Sequence, residues 1–194
     1  MTKVFSRRKT VLVLTVFILL LVAISFAFTV NAAEESETRS EIEVYLIAGQ
    51  SNAVGYGEVS DFTATDPRFT NGFENVLYYG KAEDNVVGAF TPVKVGYGNQ
   101  PGRSGAEIGI ASALANTGNM HAVIKVARGA SSLYPDPNPE VSQNYGTWTS
   151  PTYIKNHSID TAGTLIGALY NDFLETVTEA IALLEAQGYT PVIR

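Results

Sequence analysis

Hydrophobic and polar positions change period several times along the chain. Residues 44–48, Val-Tyr-Leu-Ile-Ala, carry no charge and suit a central strand of a parallel sheet covered on both faces; Gly49 ends it. Residues 121–127, His-Ala-Val-Ile-Lys-Val-Ala, predict a second strand. Helical spacing takes over at 161–187. There Ala162, Leu165, Ile166, Leu169, Phe173, Val177, Ala180, Ile181 and Leu184 share one face, and Gly188 followed by Pro191 marks the stop. A shorter helix is predicted over 104–114, opened by Ser104 as cap with Glu107 three residues on, as in a capping box. Short strands are expected at 75–79 and 93–97, and Val192 and Ile193 look like the start of another. Residues 55–74 and 134–151, with their Gly, Pro, Asn and aromatic content, read as loops.

The N-terminal region changes the compartment. Lys3, Arg7, Arg8 and Lys9 precede an uncharged apolar run over 11–30, the outline of a secretory signal, and Val30-Asn31-Ala32 supplies small residues for cleavage near Ala33. Twenty apolar residues also suffice to span a bilayer if uncut, so an N-terminal membrane anchor is the alternative to a secreted protein. Residues 1–32 hold four of the thirteen basic residues and no acid, which leaves 9 basic against 19 acidic residues and a mature net charge of −10. Nucleic acid is therefore an unfavourable partner. The chain has no cysteine, which fits an exported bacterial protein stabilised by its core, and which excludes thiolate chemistry and thiolate-ligated metals. Residues 33–42 read as a polar leader and 43–194 as one domain, with no internal repeat or linker.

The candidate chemistry starts at Ser51. A serine just past the carboxyl end of a buried strand lies where open α/β sheets bind ligands, and a following helix would aim backbone N–H groups at developing negative charge. Gln50-Ser51-Asn52 also reads as a plain turn, with Ser51 or Asn52 capping the next helix. In the loop over 134–151, Tyr145 reads as the residue that pins the loop and Trp148 as a sugar-stacking platform. Glu107 needs no role beyond its helix turn, where a carboxylate caps and complements the dipole. Acidic residues are dispersed without metal-ligand spacing, so neither a metal nor a cofactor is expected.

Leu46-Ile47-Ala48-Gly49-Gln50-Ser51-Asn52 resembles the first block of the SGNH hydrolases, in the branch of the sialate O-acetylesterases and the acetylxylan esterases of carbohydrate esterase family 6. In that branch a Gly-Gln-Ser-Asn run, usually followed by Met, carries the nucleophile; Ala53 replaces the Met here. The 104–114 segment is similar to the family's Gly-Pro-Glu-hydrophobic-Gly block, with Ala106 in the Pro position, and Leu169-Tyr170 is similar to the Leu-Tyr of its long helix. Arg128-Gly129-Ala130-Ser131-Ser132-Leu133 resembles a Gly-Gly-Thr-Ser-Leu turn, with Ala130 departing from the second glycine.

The resemblance implies a flavodoxin-like three-layer α/β/α fold around a central parallel sheet, incomplete at the C-terminus. It implies removal of O-acetyl groups from a carbohydrate such as sialic acid or xylan, with Ser51 as nucleophile. Gly129 and the Ser51 N–H would form the oxyanion hole, with Gln50, Asn52, Ser131 and Trp148 as supporting or substrate-contacting residues. Read without the family, Gly129 equally well just terminates a strand. The family's Gln-Gly-Glu and Asp-x-x-His blocks have no counterpart here, and the two histidines read otherwise: His121 as a surface residue at the sheet's amino edge, His157 before the long helix that Asp160 would cap. A non-catalytic carbohydrate binder and a fragment of a longer esterase are the alternatives.

Overall fold

The computed structural model describes residues 39–62, 66–135 and 144–194. The expected signal segment, most of the leader and the middle of the 134–151 loop lie outside them. Among the described residues no helix is long and apolar enough to cross a membrane.

Five strands, β1 (Ser40–Gly49), β3 (Phe73–Ala82), β4 (Asn85–Val93), β6 (His121–Ala127) and β7 (Tyr189–Ile193), form one sheet in the order β4-β3-β6-β1-β7. Parallel pairing joins β3, β6, β1 and β7, with Ile47 opposite Lys125 and Ile42 opposite Pro191. The strand β4 is antiparallel, returned from β3 by the two-residue turn Glu83-Asp84. The expected parallel sheet is therefore mixed, and the strand expected at 93–97 lies earlier, ending at Val93. Two short strands, β2 (Gly57–Glu58) and β5 (Arg103–Ser104), pair separately.

Period-two alternation fills both faces. Ile47, Tyr78 and Val123 point to one side, where Ile108 and Ala111 of the helix α3 (Ala106–Leu114) cover them. Ile42, Val44, Ala122 and Ile124 point to the other, against Ala180 and Leu184 of α5 (Ala168–Ala186). Complete burial of such side chains contributes about 1.5–3 kcal/mol each, so the three-layer arrangement follows from the apolar runs of β1 and β6.

The long helix starts at Ala168, not 161. Gly163 and Gly167 adopt positive φ, and Asp160 accepts from the Ala162 N–H in a local turn, so 161–167 coils while the face from Leu169 to Leu184 packs as its spacing predicts. The strand β1 likewise begins at Ser40, inside the expected leader. Pro191 sits within β7, an edge strand, where a missing N–H does least harm.

Connections place the crevice. The chain leaving β1 passes on the α3 side, where Phe62 and Phe69 join the core, and the chain leaving β6 leads to α5 on the other side. Divergence at adjacent strand ends opens a crevice outside the carboxyl edge of the sheet, the usual ligand position of open α/β sheets.

Candidate active site

The floor of this crevice is the end of β1. The Arg128 N–H donates to the Gly49 carbonyl at 3.0 Å, extending the β1–β6 ladder until both strands stop side by side. Immediately beyond comes α1 (Ser51–Val54), a single turn with Ser51 as its first residue. Gln50 caps it: its Oε1 accepts from the Ser51 N–H at 3.2 Å and from the Ser51 hydroxyl at 2.8 Å. Four residues carry little macrodipole, so what α1 offers a ligand is its individual N–H groups.

At the far end of α1 the Val54 carbonyl accepts from Lys125 Nζ at 3.2 Å. That ammonium, fully buried in β6, also donates to the Tyr97 carbonyl at 2.7 Å and to Glu107 Oε2 at 2.7 Å. Burial lowers the Lys125 pKa, and the Glu107 carboxylate opposes the shift. Glu107 in turn accepts from the Gly105 N–H at 2.7 Å. The predicted capping box is thus replaced: Gly105 is the cap residue of α3, and Ser104 accepts from the Gly96 N–H instead. Glu107 neutralises a buried lysine under the Ser51 turn. Sequence reasoning missed Lys125, although a lone cation in the apolar strand 121–127 was the available signal. Gly55 lets this happen, since a Cβ there would come within 2.4 Å of the Gly105 nitrogen.

A cavity of about 410 Å³ opens over Ser51, lined also by Tyr56, Glu83, Asp84, Arg128, Gly129, Ala130 and Tyr145. Ser51 and Gly129 therefore share one cleft. The Gly129 N–H is engaged: it donates to Glu83 Oε1 at 3.2 Å, and the Tyr56 hydroxyl donates to the same oxygen at 2.8 Å. That hydrogen bond, with burial and the Glu83 charge, raises the Tyr56 pKa, while Arg128 opposes it. The unusual backbone of the turn falls on Ala130, at φ +56°, in the place of the family's second glycine. Glu83, at φ +55° in the hairpin turn, was not singled out from the sequence.

The remaining sequence candidates divide. Asn52 is exposed on α1 and does not line the cavity. Ser131 bonds the Arg128 carbonyl at 2.7 Å and receives the Trp148 indole N–H at 2.9 Å, while Trp148 packs edge-on against Phe173. Trp148 is the pin and Tyr145 the residue in the cleft, the reverse of the expectation. The difference arises because the indole N–H found a partner in the 128–132 turn. His157 stacks on Tyr153 at the end of α4 (Pro151–Asn156), bonds the Tyr153 carbonyl, and lies outside the cleft. His121 is buried, not a surface residue. It bonds Thr117 Oγ1 at 2.6 Å, and its Nδ1 lies 3.2 Å from Glu43 Oε2 without hydrogen-bond alignment. Among the described residues no group of three or more His, Asp or Glu side chains could hold a metal ion.

No curated protein and no solved structure matches this chain. A family model described as carbohydrate esterase, sialic acid-specific acetylesterase matches residues 41–182, a span that contains the Ser51 turn, β6 and nearly all of β1 and α5. With that match over more than half of its length, the chain belongs to the family of carbohydrate esterases that includes the sialic acid-specific acetylesterases.

Proposed function

We propose that the protein is a serine esterase that removes O-acetyl groups from a carbohydrate. The observation that carries this is the placement of Ser51 and Gly129 in one cleft at the carboxyl ends of β1 and β6. Ser51 Oγ attacks the acetyl carbonyl carbon, the sugar oxygen leaves with a proton, and an acetyl-serine forms; water then attacks it and acetate departs. The Ser51 and Gly129 N–H groups receive the developing oxyanion. Tyr145, exposed in the cleft, offers a ring face to the sugar.

The serine proton needs an acceptor. In the structure it is donated to Gln50 Oε1, a neutral amide oxygen that takes a hydrogen bond but not the proton, and neither histidine lines the cleft. The two carboxylates that line the cleft, Glu83 and Asp84, make no hydrogen bond to the Ser51 hydroxyl, so the acceptor is not among its present contacts. We extend the proposal to export through residues 1–32, with membrane retention as the outcome if that segment stays uncut.

Acetate release from O-acetylated sialic acid and O-acetylated xylo-oligosaccharide, measured beside a Ser51→Ala control, tests the reading and identifies the sugar. Ser51-dependent release supports it, and equal rates in the two proteins contradict it. That among the described residues no histidine lines the cleft favours one second reading, a carbohydrate binder without turnover, which would show sugar binding unaffected by Ser51→Ala.

A further inference from the structure

Glu83 occupies the position that acyl transfer requires to be open. Its Oε1 accepts both the Gly129 N–H and the Tyr56 hydroxyl, and nothing accidental holds it there. The Glu83 N–H donates to the Ala127 carbonyl at 2.9 Å, which stitches the hairpin turn to the end of β6 two residues before Gly129. The turn keeps a glutamate at φ +55°, a conformation costly for a residue with a Cβ and sustained only by its surroundings. Gly129 is fitted to the contact as well: a Cβ there would lie 2.5 Å from Glu83 Oε1 and 3.0 Å from the Tyr56 hydroxyl. A carboxylate oxygen on a backbone N–H in the nucleophile's cleft has the charge and atom type of a bound acetate.

We propose that Glu83 is a specificity-determining residue of this cleft: its carboxylate is an internal occupant of the oxyanion site, excluding free carboxylates such as the acetate product and yielding only to an ester seated against Ser51. The inference rests on the assignment of the Gly129 N–H to the oxyanion site. Gln50 caps the other donor, the Ser51 N–H, with a neutral oxygen that imposes no charge repulsion. Glu83 does impose one, since a second anion brought to the same N–H meets like-charge repulsion. The ester carbonyl is neutral on arrival and meets less of that repulsion.

Acetate titration of the 15N-labelled full chain, followed at the Gly129 and Ser51 amide resonances, tests this without turnover. Glu83→Gly removes the carboxylate and relieves the positive φ; Glu83→Gln keeps an acceptor for both hydrogen bonds and removes only the charge. Acetate is expected to shift the Gly129 amide of Glu83→Gly saturably and at least about tenfold more tightly than in the unsubstituted protein, with Glu83→Gln between them. Equal acetate affinity in all three proteins would overturn the proposal, as would a Gly129 amide frequency that both substitutions leave unmoved. The glutamine variant preserves the contrast if the glycine variant fails to fold. Absence of ester hydrolysis with the acetate contrast intact would sink the esterase reading alone; hydrolysis with no contrast would sink this one alone.

Discussion

Ala130 holds a left-handed backbone conformation that its Cβ opposes, between the strand end that carries Gly129 and the Ser131 node. Ala130→Gly is expected to stabilise the fold by about 1 kcal/mol, the relief of the strain less the extra flexibility of glycine in the unfolded chain, read as a higher urea midpoint at unchanged slope. Trp148 and Tyr145 separate under substitution. Trp148→Phe keeps a ring against Phe173, loses the bond to Ser131, and should cost about 1 kcal/mol with sugar affinity unchanged; Tyr145→Ala should weaken sugar binding with stability nearly unchanged. Equilibrium denaturation and sugar titration on both variants check the split. At this scale the sequence singled out Ser51 and Gly129, which share one cleft, because each follows a largely apolar strand. It did not reveal Glu83, since a polar hairpin turn looks the same whether its side chain faces solvent or folds back on a neighbouring amide.

Elements were most legible where one period ran long. The apolar runs of β1 and β6 and the three-four spacing from Leu169 to Leu184 lie in the structure as their patterns require. Boundaries shifted where local polar groups competed: glycines at 163 and 167 uncoiled the expected first turns of α5, and the Glu83-Asp84 turn moved the strand expected at 93–97 back to β4. The Ser104-Glu107 pattern matched a capping box, yet Glu107 is drawn inward by Lys125, a partner 18 residues away that no local rule detects. That buried pair ties α1, α3 and β6 together. Lys125→Met or Glu107→Leu alone leaves an unpaired buried charge and should cost about 3–5 kcal/mol, whereas the double substitution should cost clearly less than the sum. Chemical denaturation of the four proteins in the cycle measures the coupling, and strict additivity would refute it.

For the whole molecule, the sheet imposes an alkaline limit. Burial, the hydrogen bond to Glu179 and the Glu179 charge push the Tyr79 pKa up to about 12, and burial drives Tyr78 in the same direction. Between pH 10 and 12 the unfolded chain releases the Tyr79 proton while the folded chain retains it. The stabilisation is therefore complete below pH 10 and is lost as pH rises towards 12, by roughly 2 kcal/mol. Tyr79→Phe should flatten that part of the stability–pH curve, and an unchanged curve would show that the hydroxyl ionises equally in both states. Function belongs to this scale too, since the cleft exists only because β1 and β6 end together with their onward connections on opposite faces. The central claim is that Ser51 takes the acetyl group. An activated ester with a good leaving group needs little help to acylate it, while the water step still needs a base, so the acetyl-enzyme should accumulate. The decisive measurement is peptide-resolved mass spectrometry of the protein quenched after exposure to p-nitrophenyl acetate. One acetyl group on the peptide containing Ser51, absent from Ser51→Ala, is the predicted result; acetylation scattered over lysines with none on Ser51 would contradict it.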